Sequence, residues 1–469
     1  MTSVCLRNVG VEEEFHLIDA VTRRLTSRAP ELLTQLPDDV YVEELQRCVV
    51  ETNSGVHGEL DKLRADLVTH RRILREAAEE LGMGVVAAGA VPLAVPAEME
   101  VTETPRYRRM LADYQLLARE QLICGTQVHV ELPDRDEAVR AAIRVAPYLP
   151  IFLALSASSP FWSDGSDTGY ASARTLVWQR WPTSGPAPFA SSAAEYDAAI
   201  AALVASGVIS DPGMVYYDVR PSAKLPTLEL RVCDSCPSVD TIVLVAGLFR
   251  ALVDREVAHC RSGDPLPNIS PTLVRAAIWR AARSGLEGDL VDVENPRPHP
   301  AAEIVQRFVE GLRPQLDATG DWEEISALTE RALELGSSAS RQRRALRRRG
   351  KLTDVVDLLM EETASLDSAL PRVYDPDQTL LHGYVPIIGH RPDGGYDEAV
   401  APDGRPRPEY AEVLGHAAAL GAAQLRQIQF AVEHDQSVHG MTFRVSGEGR
   451  AQLFPMDLVP RIVTAEDWE

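Results

Sequence analysis

The stretch Gly10-Val11-Glu12-Glu13-Glu14-Phe15-His16-Leu17-Ile18 mixes strand-forming residues with three consecutive carboxylates. In an extended chain successive side chains point to opposite faces. Glu12, Glu14 and His16 therefore share one side, and Val11, Phe15 and Leu17 the other, with Glu13 as a polar intruder. Two later stretches repeat the pattern. In Cys124–Leu132, Val128, Val130 and Leu132 oppose Gln127, His129 and Glu131. In Thr227–Asp234, Leu228, Leu230 and Val232 oppose Thr227, Glu229 and Arg231. Each stretch predicts a strand with one core face and one polar face.

The intervening chain is mainly helical in its spacing. Val49–Ser54 is a short apolar run that ends on Glu51, Thr52 and Asn53. A helix is predicted over 57–81, with Leu60, Leu63, Leu67, Leu74, Ala78 and Leu81 as its apolar stripe. Its charged positions Asp61, Lys62, Arg64, Asp66, Arg71 and Arg72 read as solvated. Gly84–Ala90 reads as a strand halted at Val91-Pro92, and 106–121 as a helix burying Tyr107, Met110, Leu111, Tyr114 and Leu117. Residues 135–158 are helix-rich, a loop follows at Ser163–Tyr170, and Arg174–Trp181 carries two tryptophans and two arginines. Asp211–Arg220 is a loop leading into a strand. Helices dominate from about 239 to 366 and end in the basic run Arg341–Lys351, read as a charged helix surface with anion binding as the alternative. From Asp367 to Pro402 the texture turns to Pro, Gly and Asp, which places a boundary near 370. An amphipathic helix over 407–433 and strands at 441–445 and 452–458 complete the pattern.

Composition narrows the class. The 469 residues allow two or three domains, and 45% hydrophobic with 25% charged residues is ordinary for a globular chain. A formal charge of −22 argues against a nucleic-acid partner. No apolar run approaches the roughly 18 residues of a membrane span, and the opening residues do not read as a signal peptide. The expectation is a cytoplasmic chain with no membrane partner. The six cysteines are scattered; Cys233 and Cys236 form a C-x-x-C without a second pair, which reads as two semi-buried thiols.

Candidate chemistry then changes the picture. Glu12 and Glu14 lie about 7 Å apart along their strand. A half-buried carboxylate pair needs a counter-charge, or one member takes up a proton. Alone, that strand reads as a solvated edge. With Gln127/His129, Glu229/Arg231 and Glu51 added, the polar faces supply enough carboxylate and imidazole for two or three hard metal ions, with an arginine beside them. Mg²⁺ favours a few carboxylates plus substrate phosphates. Metals bridging phosphates beside an arginine are the equipment of phosphoryl transfer from ATP. No Walker A motif, dinucleotide fingerprint, kinase signature or nucleophile elbow competes with that reading.

Gly10-Val11-Glu12-Glu13-Glu14-Phe15, Val50-Glu51-Thr52-Asn53-Ser54, Cys124–Val130, and Asp218-Val219-Arg220-Pro221 with Glu229-Leu230-Arg231 resemble the glutamate–cysteine ligase type 2 (carboxylate–amine ligase) family. The blocks occur in the family's order over about residues 5–366. The resemblance implies an α+β fold, an antiparallel sheet curled into a cup with flanking helices, related to the glutamine synthetase catalytic fold. It implies ATP-dependent amide formation through an acyl phosphate, with Mg²⁺, or Mn²⁺ in its place. Carried over by motif, Glu12, Glu14, Glu51, His129 and Glu229 would be metal ligands. Arg231 would contact the transferring phosphate, and Arg220 would hold nucleotide or a substrate carboxylate. Gln127, Asn53 and Arg174 are the candidates for substrate or ATP contacts. Where the family often has a His before Pro, this chain has Val91, which puts substrate specificity in question.

The tail has its own resemblance. Gly395–Glu398, Arg405–Tyr410, His439–Phe443 and Phe454–Arg461 resemble the opening of a circularly permuted ATP-grasp protein. The expected domains are a ligase domain at 1–366, a linker at 367–404 and an ATP-grasp-like segment at 405–469, a small α/β appendage read as a fragment of a longer ligase fusion or a remnant. The leading expectation is a ligase acting on small molecules, with glutamate as first candidate carboxylate and cysteine as first candidate amine; oligomerisation is left open. The alternatives are the same chemistry on other amino acids or peptides in natural-product assembly, and a non-catalytic binding module.

Overall fold

The computed structural model describes residues 6–94, 99–365, 399, 406–438, 442–443 and 452–453. The chain forms two compact units, Met1–Ala369 and Leu370–Glu469. In the first, β1 (Val9–Asp19), β2 (Tyr41–Glu43), β3 (Val49–Asn53), β4 (Met83–Val86), β5 (Thr126–Glu131), β6 (Val219–Pro221) and β7 (Thr227–Leu230) make one sheet in the order β2-β3-β1-β5-β7-β6. β4 pairs with the last four residues of β1, and every pairing is antiparallel. Helices flank the sheet, so the class is α+β, as expected.

The alternation read in the sequence is the alternation of the sheet. Val9, Val11, Val128, Val130, Leu228 and Leu230 form one core with Leu60, Leu63 and Leu67 of the helix Leu60–Glu80 and the buried side of the helix Val239–Arg261. Phe15, Leu17 and Val50 join Leu74, Ala78 and Val85 in a second. Each such side chain, fully buried, contributes about 1.5–3 kcal/mol against leaving it in water. One face of the sheet is thereby anchored, and the register that anchors it fixes which residues face the other way.

Arg71 corrects the reading of the first long helix. It is not solvated. It is buried, and its Nε and Nη2 donate to Glu13 Oε1 at 2.9 and 2.6 Å, with further bonds to the carbonyls of Pro237 and Cys236. Arg64 is also engaged, with Asp240 and Glu324. The polar intruder of the strand and an arginine of the helix thus neutralise each other inside the core. Breaking such a pair from one side leaves a buried charge. Arg71→Met is expected to lower unfolding stability by about 3–5 kcal/mol in urea titrations. Glu13→Met/Arg71→Met should lose less than that single variant.

Other differences are local. The helix expected over 106–121 is two, Pro105–Tyr114 and Leu116–Arg119, broken at Gln115, whose φ of 48° leaves the helical region. A hairpin, Asp289–Asp292 with Arg297–Pro300, interrupts the helical stretch after 239. The basic run lies on the helix Ser338–Arg349, where Arg341 pairs with Glu362 and Arg343 with Asp167, each at 2.6 Å. Those arginines tie helix and loop together. Against expectation, the continuous helical run Arg135–Ser156 has the length and hydropathy to cross a membrane; 78% of its apolar window is buried inside the unit, as in a core helix. Cys233 and Cys236 are both buried. In the second unit the helix spans Ala411–Val438, and Thr442–Phe443 pairs with Gln452–Leu453. The expected linker, and most of the motifs that suggested ATP-grasp, lie outside the described residues.

Candidate active site

Residues directly opposite each other in an antiparallel pair share a face. Glu14 lies opposite Glu51; Glu12 lies between Asn53 on one side and Gln127 on the other. His129 lies opposite Glu229, and Glu229 opposite Arg220. The sheet therefore gathers the sequence-predicted residues of five strands on one face, away from the core. Their spacing produces two clusters. Glu12, His129 and Glu229 can bring one ligand atom each within 4.8 Å of one another, and so can Glu14, Glu44 and Glu51.

Glu44 was missed in the sequence. It follows the three-residue β2, too short to show alternation.

The electrostatics of the two clusters differ. Burial raises the Glu44 carboxyl to about 7, with Glu14 adding to the rise. Burial, then Glu44, Glu12 and Glu14, hold Glu51 well above the usual carboxylate range. Among the described residues none of the three carboxylates forms a close ion pair, although Arg231 acts on Glu44 from farther off. In the other cluster the counter-charges are present. Burial alone would raise Glu229, but Arg231 and Arg220 pull it below the usual range. Arg220 Nε donates to Glu229 Oε2 at 2.9 Å, and Arg231 Nη1 to Glu229 Oε1. His129 Nε2 lies 3.2 Å from Glu12 Oε1, while its Nδ1 lies 2.9 Å from Thr227 Oγ1. A ring nitrogen fixed by a second group while the other faces carboxylates is the usual posture of a metal-binding imidazole. An all-carboxylate set and a carboxylate–imidazole set fit hard divalent cations such as Mg²⁺ or Mn²⁺.

The surrounding residues hold this arrangement. Glu14 accepts from the Gly125 amide at 2.6 Å and from Gln127 Nε2 at 2.9 Å, so Gln127 orients a candidate ligand. Arg174 lies on the short helix Ala173–Trp178, capped by Ser172, and its guanidinium crosses Gly125 so closely that a Cβ there would sit 2.4 Å from Nη2. The Asp234 carboxylate accepts from the hydroxyls of Ser159 and Ser172 at 2.7 Å, which fixes that helix start. Arg174 and Arg231 both lie over the Trp178 ring, at 5.4 and 5.6 Å from its centroid. Glu12, Glu14, Glu44, Glu51, Gln127, Arg174, Arg220 and Arg231 line one cavity, whose remaining wall is mainly aromatic and apolar but includes Gln46, Arg106 and Gln121. His129 and Glu229 are not among its lining residues, but each contacts one that is: His129 lies 3.2 Å from Glu12, and Glu229 accepts from Arg220 and Arg231. Asn53 shares the face but is not among the lining residues. Val91, the departure from the family pattern, is buried in an apolar cluster with Ile18, Val86 and Leu122 and does not line the cavity either.

Arg220 also bounds a second cavity of about 540 Å³, lined mainly by Tyr196, Ile200, Val204, Val215 and Pro221. The two cavities meet at that one guanidinium.

Asp218, in the motif preceding Arg220, yields a test of pH dependence. It is buried, Oδ2 has no hydrogen-bond partner among the described residues, and burial raises its carboxyl to about 7 against the pull of Arg174 and Arg275. A carboxyl raised on folding stabilises the fold below its unfolded value near 4, and that contribution is lost as pH rises through 7. Asp218→Asn is therefore expected to be more stable than the parent at pH 8, by up to about 4 kcal/mol, and to show no gain at pH 4. Thermal melts across that range check it; lower stability of the variant at pH 8 would show that the charge is well paired.

With the geometry in place, comparison with known proteins becomes informative. The model of glutamate–cysteine ligase family 2 matches residues 8–358. The chain belongs to that family. A relative from Mycolicibacterium smegmatis, named glutamate–cysteine ligase 2-2, is 64% identical over 369 residues, covering 78% of this chain and 93% of its own. One from Rhodococcus jostii, named 2-3, is 70% identical over 370 residues, covering 79% of this chain and 47% of its own. One from Frankia alni, also named 2-3, is 52% identical over 469 residues, covering 98% of this chain and 54% of its own. The chain thus spans about half the length of these last two relatives. Among solved structures, glutamate–cysteine ligase from Francisella tularensis, in complex with AMP, superposes with a TM-score of 0.56 at 10% identity, covering 78% of this chain and 91% of that one. A bifunctional glutathione synthetase from Pasteurella multocida superposes with a TM-score of 0.58 at 15% identity, covering 77% and 52%. At that identity the likeness establishes the fold, and the sequence relatives establish a ligase family.

Proposed function

We propose that the chain is an ATP-dependent carboxylate–amine ligase. The observation that carries this reading is the pair of three-ligand clusters beside Arg231 and Arg220 on one face of the sheet. A carboxylate oxygen of the donor attacks the γ-phosphorus, and ADP leaves with the bonding pair. The amine nitrogen then attacks the acyl carbon, phosphate leaves, and the nitrogen gives up a proton. A carboxylate needs this activation because its oxygen is otherwise no leaving group. Arg231 and Arg220 are placed to take the charge on the transferring phosphoryl group, a role electrostatic in kind. Arg174, whose Nε is buried without a partner among the described residues, suits the donor's second carboxylate. Glu12, His129 and Glu229, and Glu14, Glu44 and Glu51, would hold Mg²⁺ or Mn²⁺. Such ions would neutralise phosphate charge during the transfer.

The apolar cavity beyond Arg220 suits the nucleotide base. Its wall is mainly apolar, and the Tyr196 hydroxyl is buried with no hydrogen-bond partner among the described residues. The AMP held by the Francisella relative supports a nucleotide site in this fold. All residues of the proposed site lie in 1–366, which we assign as the ligase domain, with 367–404 as linker and 405–469 as an ATP-grasp-like segment. Glutamate is the first candidate donor. ADP release, measured with Mg²⁺-ATP and glutamate against a panel of amines including cysteine, should depend on both donor and amine. Nucleotide binding without ADP release under any pairing would instead favour a binding module.

A further inference from the structure

We infer that Trp178 is a positioning residue of this site, whose indole carries Arg174 and Arg231 together and keeps the two guanidiniums in register. The inference rests on the ligase reading and concerns a residue that reading leaves without a role. The short helix Ala173–Trp178 begins at Ser172, whose hydroxyl donates to the buried Asp234 carboxylate at 2.7 Å. Positions four apart on a helix lie one above the other, so Arg174 and Trp178 share a face. The Arg174 guanidinium carbon stands 5.4 Å from the indole centroid. Arg231, just past the end of β7, reaches the same ring at 5.6 Å. All three residues line the catalytic cavity.

The protein leaves both guanidiniums with donors to spare. Arg174 is 3% exposed, and its side chain donates to the Val232 and Arg231 carbonyls, each at 3.4 Å. Asp218 and Asp234 act on it from farther off, and its Nε has no partner among the described residues. Arg231 gives Nη1 to Glu229, and its Nε is likewise buried without a described partner. Two like charges held this close repel each other, while an indole face attracts each of them. A carboxylate in that place would take up the N–H groups and cancel the charge. A ring stabilises the cation and leaves its N–H groups for an anion. Arg231 can then exchange Glu229 for a phosphoryl oxygen without leaving the ring. The indole is itself braced: Tyr216 tilts against it at 4.9 Å and meets Trp181 at 5.5 Å. A shift of about 1 Å in groups of this kind can cost about 10²-fold in rate. Trp178 thus acts through the arginines and takes no part in the bond changes.

The full chain is first assayed for hydroxamate with Mg²⁺-ATP, hydroxylamine and a panel of amino-acid donors. No hydroxamate with any donor overturns the ligase reading, and the inference falls with it. With an accepted donor, Trp178→Met keeps bulk but offers no ring. It is expected to lower kcat by about 10²-fold and to raise the donor KM, while Trp178→Phe stays within about tenfold of the parent. In an Arg231→Ala background Trp178→Met should lower kcat by less than about threefold, because the group it positions there is gone. A tetrafluorinated tryptophan placed at 178 keeps the shape and weakens the negative face of the ring. It should lower kcat by about tenfold at an unchanged melting temperature, and it decides the matter should Trp178→Met fail to fold. A merely supporting indole would make every loss of rate follow the melting temperature, and fluorination would leave kcat alone. Unchanged kcat on fluorination, Trp178→Phe no better than Trp178→Met, or losses that multiply in full with Arg231→Ala would each overturn the inference.

Discussion

Arg231→Ala is expected to fold as the parent does and to lose at least about 10²-fold in ATP-dependent amide formation. The fold should survive because Glu229 keeps Arg220, whose Nε donates to it at 2.9 Å, and Arg174 remains over the Trp178 ring. The rate should not survive. Without nucleotide, Arg231 spends its charge on Glu229, two residues away on the same strand face. With ATP and metal present Glu229 gains another partner, and Arg231 can turn to the γ-phosphate where charge develops. A phosphate-directed arginine is worth about 10³–10⁵ when it acts as a finger, so 10²-fold is a lower bound. Were the pair only a support for the sheet, Arg231→Ala would lower the melting temperature and leave turnover alone. A stable, fully active variant contradicts the assignment.

Glu44→Gln should move stability and activity in opposite directions. In the metal-free chain Glu14, Glu44 and Glu51 crowd together, and the pull of Arg231 does not offset their burial and mutual repulsion. Glu44 is raised to about 7 by burial and by Glu14. Raised carboxyls make the fold lose stability as pH climbs from their unfolded value near 4.5 through 7. Removing one of the three charges should therefore raise the metal-free melting temperature at pH 8, by roughly 1 °C for each kcal/mol of repulsion relieved. The same substitution removes a proposed ligand, so the Mg²⁺ concentration for half-maximal activity should rise at least about tenfold. Melts with and without Mg²⁺, beside a Mg²⁺ titration of activity, check both halves. A variant destabilised without metal and unchanged in its Mg²⁺ demand would show that Glu44 is structural.

Much of this was legible in the sequence because a sheet imposes period two. Glu12, Glu14, His129 and Glu229 declared their shared face through the apolar residues between them, and the register placed Glu51 opposite Glu14. Arg71 was legible too, had the stripe been followed through. Leu60, Leu63 and Leu67 lead by helical spacing to position 71 before Leu74 and Ala78, so the arginine occupies a core position. Its counterpart, Glu13, occupies a core position of the strand. Two polar residues at apolar positions in different elements are a signal that they meet. Glu44 was not legible in this way, since a three-residue strand and the turn after it offer no period. Nor was the break at Gln115, where tertiary packing overrides a continuous helical pattern.

The central claim is that the donor carboxylate attacks phosphorus. It is tested most directly by following one atom. With the donor's carboxylate labelled with ¹⁸O, Mg²⁺-ATP and an accepted amine, ³¹P NMR of the products should show ¹⁸O in inorganic phosphate, matched by formation of ADP. Label appearing in AMP, with unlabelled pyrophosphate as the other product, would contradict the account and place the attack at the α-phosphorus instead.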